Sequence, residues 1–181
     1  MIRALILSLS LALLLGACGE NRQAAEPVAP QEPTRAAISH FDHMVLLEHD
    51  GPKAQIHLAS REEPIWFSSV RDAFAFTLLP EEPRDIAAIF VTDMGRAATW
   101  ADPGPGVWIE ARGAWFVVGS AMRGGMGAEE PVPFGDRQAA EAFASRHGGE
   151  VVAFEDVPQD YVLGATTEPG AHGGGPHSAA H

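Results

Sequence analysis

The sequence predicts an α+β fold made of two small homologous β-β-α-β units, each a short sheet with one helix packed on it. Two observations predict this fold. The order strand, strand, helix, strand is expected in residues 39–95 and again in residues 106–163. Each predicted helix also carries two phenylalanines at the same spacing, Phe67 and Phe76 in the first helix and Phe134 and Phe143 in the second. The alternative is one continuous α+β sheet with its helices on one face.

Three strands are predicted in the first unit. Residues 44–50 and 53–59 predict two strands around a turn at Gly51-Pro52, because apolar and polar side chains alternate in the second segment and Gly-Pro is a strong turn signal. Residues 86–93 form an apolar run rich in β-branched side chains, which predicts a buried strand.

Three strands are also predicted in the second unit. Residues 107–120 predict two strands around a turn at Arg112-Gly113, and residues 150–157 predict the closing strand. Residues 95–106 contain glycine, proline and alanine without periodicity, so they are expected to link the two units.

One helix is predicted in each unit. Residues 67–79 place apolar side chains on one helical face behind a serine N-cap. Residues 134–147 predict the second helix, with Asp136 as its N-cap and Gly148 as its C-cap.

The N-terminus predicts export and a lipid anchor. Residues 1–17 contain one charge, Arg3, before an apolar run that is too short for a comfortable membrane span, as is typical of a secretory signal peptide. The residues around Cys18 resemble a bacterial lipobox, which predicts cleavage before Cys18 and its acylation. The alternative is a soluble secreted protein with an incidental cysteine. Gly19 in place of aspartate slightly favours the outer membrane over the inner membrane.

Composition limits the functions that the chain can have. Residues 18–38 and 164–181 are non-periodic, so we expect a disordered linker and a disordered tail around the folded part. Cys18 is the only cysteine, which excludes an intramolecular disulfide and a cysteine zinc cluster. The net charge of −12, with Lys53 as the single lysine, excludes a basic nucleic-acid surface.

Catalytic motifs do not occur in the sequence. There is no G-x-S-x-G, Walker, H-E-x-x-H or G-x-G-x-x-G pattern, and the glycines at 124–127 precede no Lys-Ser or Lys-Thr. The sequence does not exclude a Ser-His-Asp triad, because its members need not be close in sequence, but nothing in the sequence favours one. The protein is therefore predicted not to be an enzyme.

Methionine and histidine side chains suggest metal chemistry. Four methionines follow the signal peptide, and none lies on the apolar face of a predicted helix: Met44, Met94, Met122 and Met126. Met122 and Met126 flank a glycine-rich loop. Thioethers are soft ligands that select Cu(I). The alternative is that these methionines are structural or incidental.

The C-terminal tail carries three further histidines among Gly, Pro, Ala and Ser, which are His172, His177 and His181. A tail of this kind is expected to collect Cu(II), Ni(II) or Zn(II) weakly. The alternative is an unstructured tail whose histidines have no function.

An ordered set of motifs behind the lipobox resembles the NosL family, the accessory lipoproteins of nitrous oxide reductase. The motifs are HMVLLEHDGPKAQI, PIWFSSVRDAFAF, IFVTDMG, WFVVGS, GGMGAEEPVPF and HGGEVV. They cover residues 39–163. The resemblance implies a periplasmic Cu(I)-binding chaperone with a pair of β-β-α-β units, similar to part of organomercury lyase.

The resemblance also implies partners. These are the ABC-type membrane complex that matures nitrous oxide reductase, the periplasmic subunit of that complex, and the reductase itself. The copper would be used to assemble the copper-sulfide centre of the reductase. Two other functions remain open. One is a metal-free lipoprotein that docks on the maturation complex, and the other is a lyase-like enzyme, which would lack the necessary cysteine nucleophiles.

The sequence departs from the family at the expected metal site. The family usually has Cys-x-Met in the first strand, whereas this chain has Asp42-His43-Met44. A carboxylate is a hard ligand and binds Cu(I) poorly. We therefore predict a site centred on Met44 and Met126, with His43 assisting, Asp42 secondary and Met122 nearby. The neighbouring side chains are predicted to face solvent from the strand: His40, Glu48 and His49.

Overall fold

The computed structural model describes residues 27–164, which contain two antiparallel sheets with helices packed on them. The first sheet has four strands in the order β2-β1-β3-β4. Their bounds are Ala54–Leu58 for β1, Ile65–Phe67 for β2, Ile86–Thr92 for β3 and Trp108–Glu110 for β4. Helix α1, Val70–Leu78, connects β2 to β3. The α+β class predicted from the sequence is confirmed.

The second sheet has three strands in the order β6-β5-β7. Their bounds are Trp115–Val118 for β5, Val132–Phe134 for β6 and Glu150–Ala153 for β7, and helix α2, Arg137–His147, connects β6 to β7. The order repeats that of β2-β1-β3. Both sheets are thus built on the same β-β-α-β sequence of elements, while β4 adds a fourth strand to the first sheet.

The predicted hairpin at Gly51-Pro52 is wrong. Residues Leu46–Glu48 form a 3-10 turn, because the segment before them folds back through a bridge between Ile38 and Val45. Strand β1 instead pairs with β2, in a register that places Ala54 opposite Phe67.

The predicted hairpin at Arg112-Gly113 is also wrong. Strand β4 pairs with β3, whereas β5 pairs with β6 and β7. A 3-10 turn at Ala111–Gly113 carries the chain from one sheet to the other, and the side chain of Glu110 accepts a hydrogen bond from its Gly113 N–H. Ala111 and Ala114 are buried in the core, so this turn is part of the interior.

The second strand of that unit is β6, which the sequence did not reveal. Pro133 stands at its centre, and proline lowers the expectation of a strand. Its place at the edge of the sheet accommodates the missing N–H group.

Helix α2 follows its capping signals, whereas Ser69 at the start of α1 makes no side-chain cap hydrogen bond to that helix. Phe67 and Phe134, which were expected in the helices, end strands β2 and β6 instead. The Asp136 side chain accepts a 2.9 Å hydrogen bond from the Ala139 N–H at the start of α2, and Gly148 ends the helix with φ +75°. A short third helix, α3 at Gln159–Leu163, was not predicted. It is held against α1 by Val162, whose carbonyl accepts a 2.7 Å hydrogen bond from Arg71 Nε. No helix within residues 27–164 is long and apolar enough to span a bilayer.

The larger hydrophobic core joins the two units. It contains the inner face of the first sheet and the apolar face of α1, together with Phe116 and Val118 from β5. Val117 lies between them in sequence and packs into a smaller core beneath α2. Alternate side chains of β5 therefore enter different cores, because successive side chains of a strand point to opposite faces. Full burial of Phe116 contributes about 2 kcal/mol to folding.

Candidate metal site

The residues Asp42, His43 and Met44 lie at the tip of a tight loop. The Ser39 N–H donates a 2.9 Å hydrogen bond to the Met44 carbonyl, and the His43 N–H donates a 3.1 Å bond to the Ser39 carbonyl. His43 has φ +57° and is exposed, and it is the one non-glycine residue with positive φ in the described range 27–164. Backbone hydrogen bonds thus fix this loop in one shape.

The carboxylate of Asp42 shapes the loop. One oxygen accepts a 2.8 Å hydrogen bond from the Met44 N–H, and the other accepts a 2.6 Å bond from Ser68 Oγ. Burial tends to raise the pKa of Asp42, but these hydrogen bonds outweigh it and leave that pKa below its usual value. Because both oxygens are engaged within the protein, Asp42 positions Met44 and is a poor candidate for a principal ligand.

Both methionines at the centre of the predicted site are exposed. The exposed fraction is 45% for Met44 and 59% for Met126. Met126 lies in a loop closed by a 2.8 Å hydrogen bond from the Gly127 N–H to the Gly124 carbonyl. Neither side chain contributes to a hydrophobic core, so each sulfur is free to meet an ion at the surface.

The two methionine-bearing loops come from different units and approach the same region. A Cβ atom on Gly125 would lie 2.6 Å from Cβ of His49 and 3.0 Å from the Asp50 carbonyl. Real Cβ atoms do not approach this closely, so glycine is required for the loop to lie against residues 49–50.

The start of α1 is the meeting point of these loops. Ser68 binds Asp42 of the first loop, while its neighbour Ser69 lines a cavity of about 250 Å³ together with Met126. Asp72 lines the same cavity, and its pKa is raised by burial and by the negative charge of Asp42. Arg71 also lines the cavity, and its positive charge opposes this rise in the pKa of Asp72.

Glu130 holds the second loop against the first unit. Its carboxylate accepts hydrogen bonds from Ser69 Oγ at 2.9 Å, the Val70 N–H at 2.7 Å and the Arg71 N–H at 3.3 Å. Burial raises the pKa of Glu130 to about 8 even though these hydrogen bonds lower it. Sequence reasoning missed this residue, because nothing in its neighbourhood signals burial of a carboxylate.

Two other methionines belong to the core. Met122 and Met94 are half-buried and pack against the hydrophobic cluster that includes Val117 and Phe143. The expectation that Met122 lies in a loop without a packed face is wrong, since its side chain packs against this cluster. Its assignment as a ligand is not supported by this packing.

The prediction that two histidines near the loop face solvent is wrong. His40 is half-buried against Phe67 and Phe76, with its Nε2 3.4 Å from Glu82 Oε1. His49 is buried, with an exposed fraction of 7%, and its Nε2 has no hydrogen-bond partner within residues 27–164. His49 points inward because a 3-10 turn replaces the predicted strand, whereas His40 is placed by a 2.8 Å hydrogen bond from its N–H to the Trp66 carbonyl. Glu48 alone is exposed as expected.

Four predicted functional residues lie outside the described residues 27–164. They are the lipidation residue Cys18 and the tail histidines His172, His177 and His181. Their roles stay predictions from the sequence.

The described donor set suits a soft ion. Within residues 27–164 no three His, Cys, Asp or Glu side chains come together as a metal-binding group. The exposed donors on the two loops are instead the thioethers of Met44 and Met126 and the imidazole of His43. Thioether and imidazole ligands suit Cu(I), whereas Ca²⁺ and Mg²⁺ require oxygen ligands.

Comparison with known proteins places the chain in a family. The family model described as NosL matches residues 30–162, which is most of the chain. The chain belongs to the NosL family. Copper-binding lipoprotein NosL of Achromobacter cycloclastes is 48% identical over 163 residues, covering 90% of this chain and 83% of the relative. Copper-binding lipoprotein NosL of Stutzerimonas stutzeri is 34% identical over 172 residues, covering 93% of this chain and 86% of the relative.

A solved structure of the NosL family has the same fold. The crystal structure of the copper chaperone NosL from Shewanella denitrificans superposes with a TM-score of 0.69 at 35% identity. The match covers 74% of this chain and 98% of that chain. These relatives are named as copper-binding lipoproteins or as a copper chaperone, and none is named as an enzyme.

Proposed function

We propose that this protein is a membrane-anchored periplasmic copper chaperone that binds Cu(I) through Met44 and Met126, with His43 assisting. One observation carries the proposal. The exposed thioethers of Met44 and Met126 lie on two loops that are fixed by backbone hydrogen bonds. These loops come from different units and both contact the start of α1. The names of the NosL relatives, which refer to copper binding, support the same metal.

The exposure of the sulfurs fits transfer of copper better than its storage. A chaperone must release its ion to a partner, and a ligand at the surface can be replaced by an incoming ligand one at a time. The acidic side chains Asp42 and Asp72 next to the loops add a favourable potential for a cation. Without a thiolate, the site is expected to bind Cu(I) more weakly than a relative that retains cysteine.

The proposed destination of the copper is the copper-sulfide centre of nitrous oxide reductase. The proposed partners are the ABC-type maturation complex, its periplasmic subunit and the reductase. Apolar side chains beside Met44 are exposed and offer a docking surface at the point of transfer, namely Ile38, Phe41 and Leu47. An exposed apolar patch of this kind marks a contact with another protein.

The proposed anchor is the acylated Cys18. Residues 19–26 would then act as the tether between the lipid and the described domain. The expectation that the linker extends to residue 38 is wrong, because the Gln31 N–H donates a 2.8 Å hydrogen bond to Gln55 Oε1 and Ala37 is buried. Replacement of Cys18 by Ser should move the protein from the membrane fraction to the soluble periplasmic fraction. A Cys18→Ser protein that stays with the membrane would refute the anchor while leaving the copper site unaffected.

The metal proposal is tested by anaerobic Cu(I) titration against a competing chelator. The background carries His172→Ala, His177→Ala and His181→Ala, which removes the imidazole ligands of the tail. In that background Met44→Leu and Met126→Leu should each weaken Cu(I) binding by about tenfold or more. Met94→Leu is the matched control, because Met94 packs on the core and its replacement should leave affinity unchanged.

The second candidate function is a docking lipoprotein that carries no metal. It is favoured by Asp42, which stands where the family has cysteine, and by the exposed apolar side chains near Met44. Absence of Cu(I) binding in the tail-variant background would favour this alternative. Binding that survives in the Met44→Leu, Met126→Leu double variant would show that copper occupies a different site.

A further inference from the structure

A second cavity lies apart from the methionine side chains. Its volume is about 350 Å³, and it is bordered by the residues after the first loop, by residues 101–105 and by β4. The side chains that matter here are Leu47, His49, Lys53, Asp102 and Trp108. The volume falls within the range of small-molecule sites.

Lys53, the only lysine of the chain, lines this cavity. Its exposed fraction is 5%, and its Nζ donates a 2.6 Å hydrogen bond to the Gly51 carbonyl. Within residues 27–164 no carboxylate forms an ion pair with it. An ammonium group has three N–H donors, so most of its hydrogen-bonding capacity is directed at no protein acceptor.

The charge of Lys53 is retained at neutral pH. Burial lowers the pKa of Lys53 to about 8, while the charges of Glu130, Asp50 and Asp102 oppose that change. A buried ammonium without a paired anion is costly, and such groups normally have a partner. Lys53 therefore brings a buried positive charge to a cavity that Glu32 and Asp102 also border, within a protein of net charge −12.

His49 supplies a second unpaired nitrogen to the same cavity. Its Nε2 is buried and without a partner in the part of the chain that the structure describes. Buried polar atoms of this kind are uncommon in folded proteins and call for a partner. An oxygen acceptor in the cavity would take a hydrogen bond from the imidazole and another from the ammonium.

The other side chains that line the cavity restrict the chemistry of the ligand that carries the acceptor oxygen. Leu47, Val107 and Trp108 supply apolar surface. Two carboxylates, Glu32 and Asp102, also border the cavity, and each already accepts a backbone hydrogen bond, at 2.8 Å from the Gly106 N–H and at 3.0 Å from the Gly104 N–H. Their negative charges disfavour a doubly charged anion. A single carboxylate attached to a small apolar body satisfies each of these conditions.

We propose that this cavity binds a small monocarboxylate, with the carboxylate held by Lys53 Nζ and His49 Nε2 and the apolar body against Leu47 and Trp108. Lys53 itself is no copper ligand, because a protonated ammonium repels a metal cation and donates no lone pair. The proposal does not depend on the copper assignment.

The first test needs only the wild-type protein. Hexanoate is titrated into the ¹⁵N-labelled protein, and its neutral analogue hexanamide is titrated in parallel. Hexanoate should produce saturable shifts concentrated at cavity residues such as Leu47 and Thr92 and at the Trp108 indole, with binding about tenfold tighter than that of hexanamide. Equal responses to the two compounds, shifts scattered over the surface, or no saturation would overturn the proposal.

Variants provide the second test. Lys53→Met and His49→Phe should each weaken hexanoate binding by about tenfold or more, whereas Arg61→Met removes an exposed cation and should have no effect. A Lys53→Met protein that folds and still binds hexanoate normally would refute the assignment. If a cavity variant fails to fold, the comparison of hexanoate with hexanamide still decides the question.

Discussion

The carboxylate of Glu130 in the second unit accepts a 2.7 Å hydrogen bond from the backbone N–H of Val70 in the first unit. Val70 is the first residue of α1, so a side chain distant in sequence caps this helix. The local N-cap position, Ser69, makes no such bond to the helix itself and binds Glu130 instead. The cap therefore ties the Met126 loop to the loop that carries Met44.

Replacement of Glu130 by Ala should destabilise the fold. The variant leaves two backbone N–H groups and a buried serine hydroxyl without their acceptor, which costs about 2–4 kcal/mol. Urea denaturation of Glu130→Ala and of the exposed neighbour Glu129→Ala measures the difference. A Glu130→Ala protein as stable as Glu129→Ala would show that the cap contributes nothing.

The pH dependence of stability should carry a signature of Glu130. Burial raises the pKa of Glu130 from 4.5 to about 8, so the folded state holds a proton that the unfolded state releases between these values. Its contribution to stability is full below pH 4.5 and is lost as the pH rises through about 8.

Glu130→Gln isolates this signature, because glutamine keeps an acceptor oxygen and does not titrate. The free energy of unfolding of the wild type relative to Glu130→Gln should fall between pH 5 and pH 8, as measured by urea titrations across about that range. Lys53 does not interfere in this window, since its lowered pKa changes stability only above about 8. A constant difference between the two proteins would contradict the assigned pKa.

Introduction of the family cysteine should strengthen copper binding at a cost in stability. Asp42→Cys supplies a thiolate, and a thiolate beside Met44 should raise Cu(I) affinity by about tenfold or more. The variant also loses the hydrogen bonds from Met44 N–H and Ser68 Oγ, which should lower stability by about 1–3 kcal/mol. Asp42→Ser is the matched control, with the same lost carboxylate and no sulfur. Equal Cu(I) affinities in the two variants would place the copper away from residue 42.

Met122 should affect stability and leave copper binding unchanged. Its side chain is half-buried against the smaller core, so Met122→Ala should cost about 1–2 kcal/mol, less than for a fully buried methionine. Thermal unfolding and Cu(I) titration of the same sample separate the two effects. A loss of Cu(I) affinity without a loss of stability would restore Met122 to the ligand set.

Elements with a strong local signal were predictable. Helix α2 begins at a capping aspartate and ends at a glycine with positive φ, and strand β3 is a continuous apolar run. Both hairpins of the repeated units failed, for the same reason. A turn signal such as Gly51-Pro52 marks a change of direction but does not specify the strand that pairs next.

The sequence suggested donors for the candidate site but not the geometry around them. The assignment of Met44 and Met126 as sulfur donors stays a prediction, and the structure leaves both side chains exposed. It did not reveal that His49 turns inward toward a cavity beside Lys53. That orientation depends on the 3-10 turn at Leu46–Glu48, where the sequence pattern favoured a strand.

The sequence by itself determined the helices α1 and α2, the buried strand β3 and the soft donors available to a metal, because each depends on residues close together in the chain. Only the tertiary structure decided which strands pair, that Glu130 caps a helix of the other unit, and that two distant loops share the start of α1. The physical reason is distance along the chain. The hydrogen bond from Val70 to Glu130 joins residues 60 positions apart, and such a contact forms only when the shared core has brought both units together.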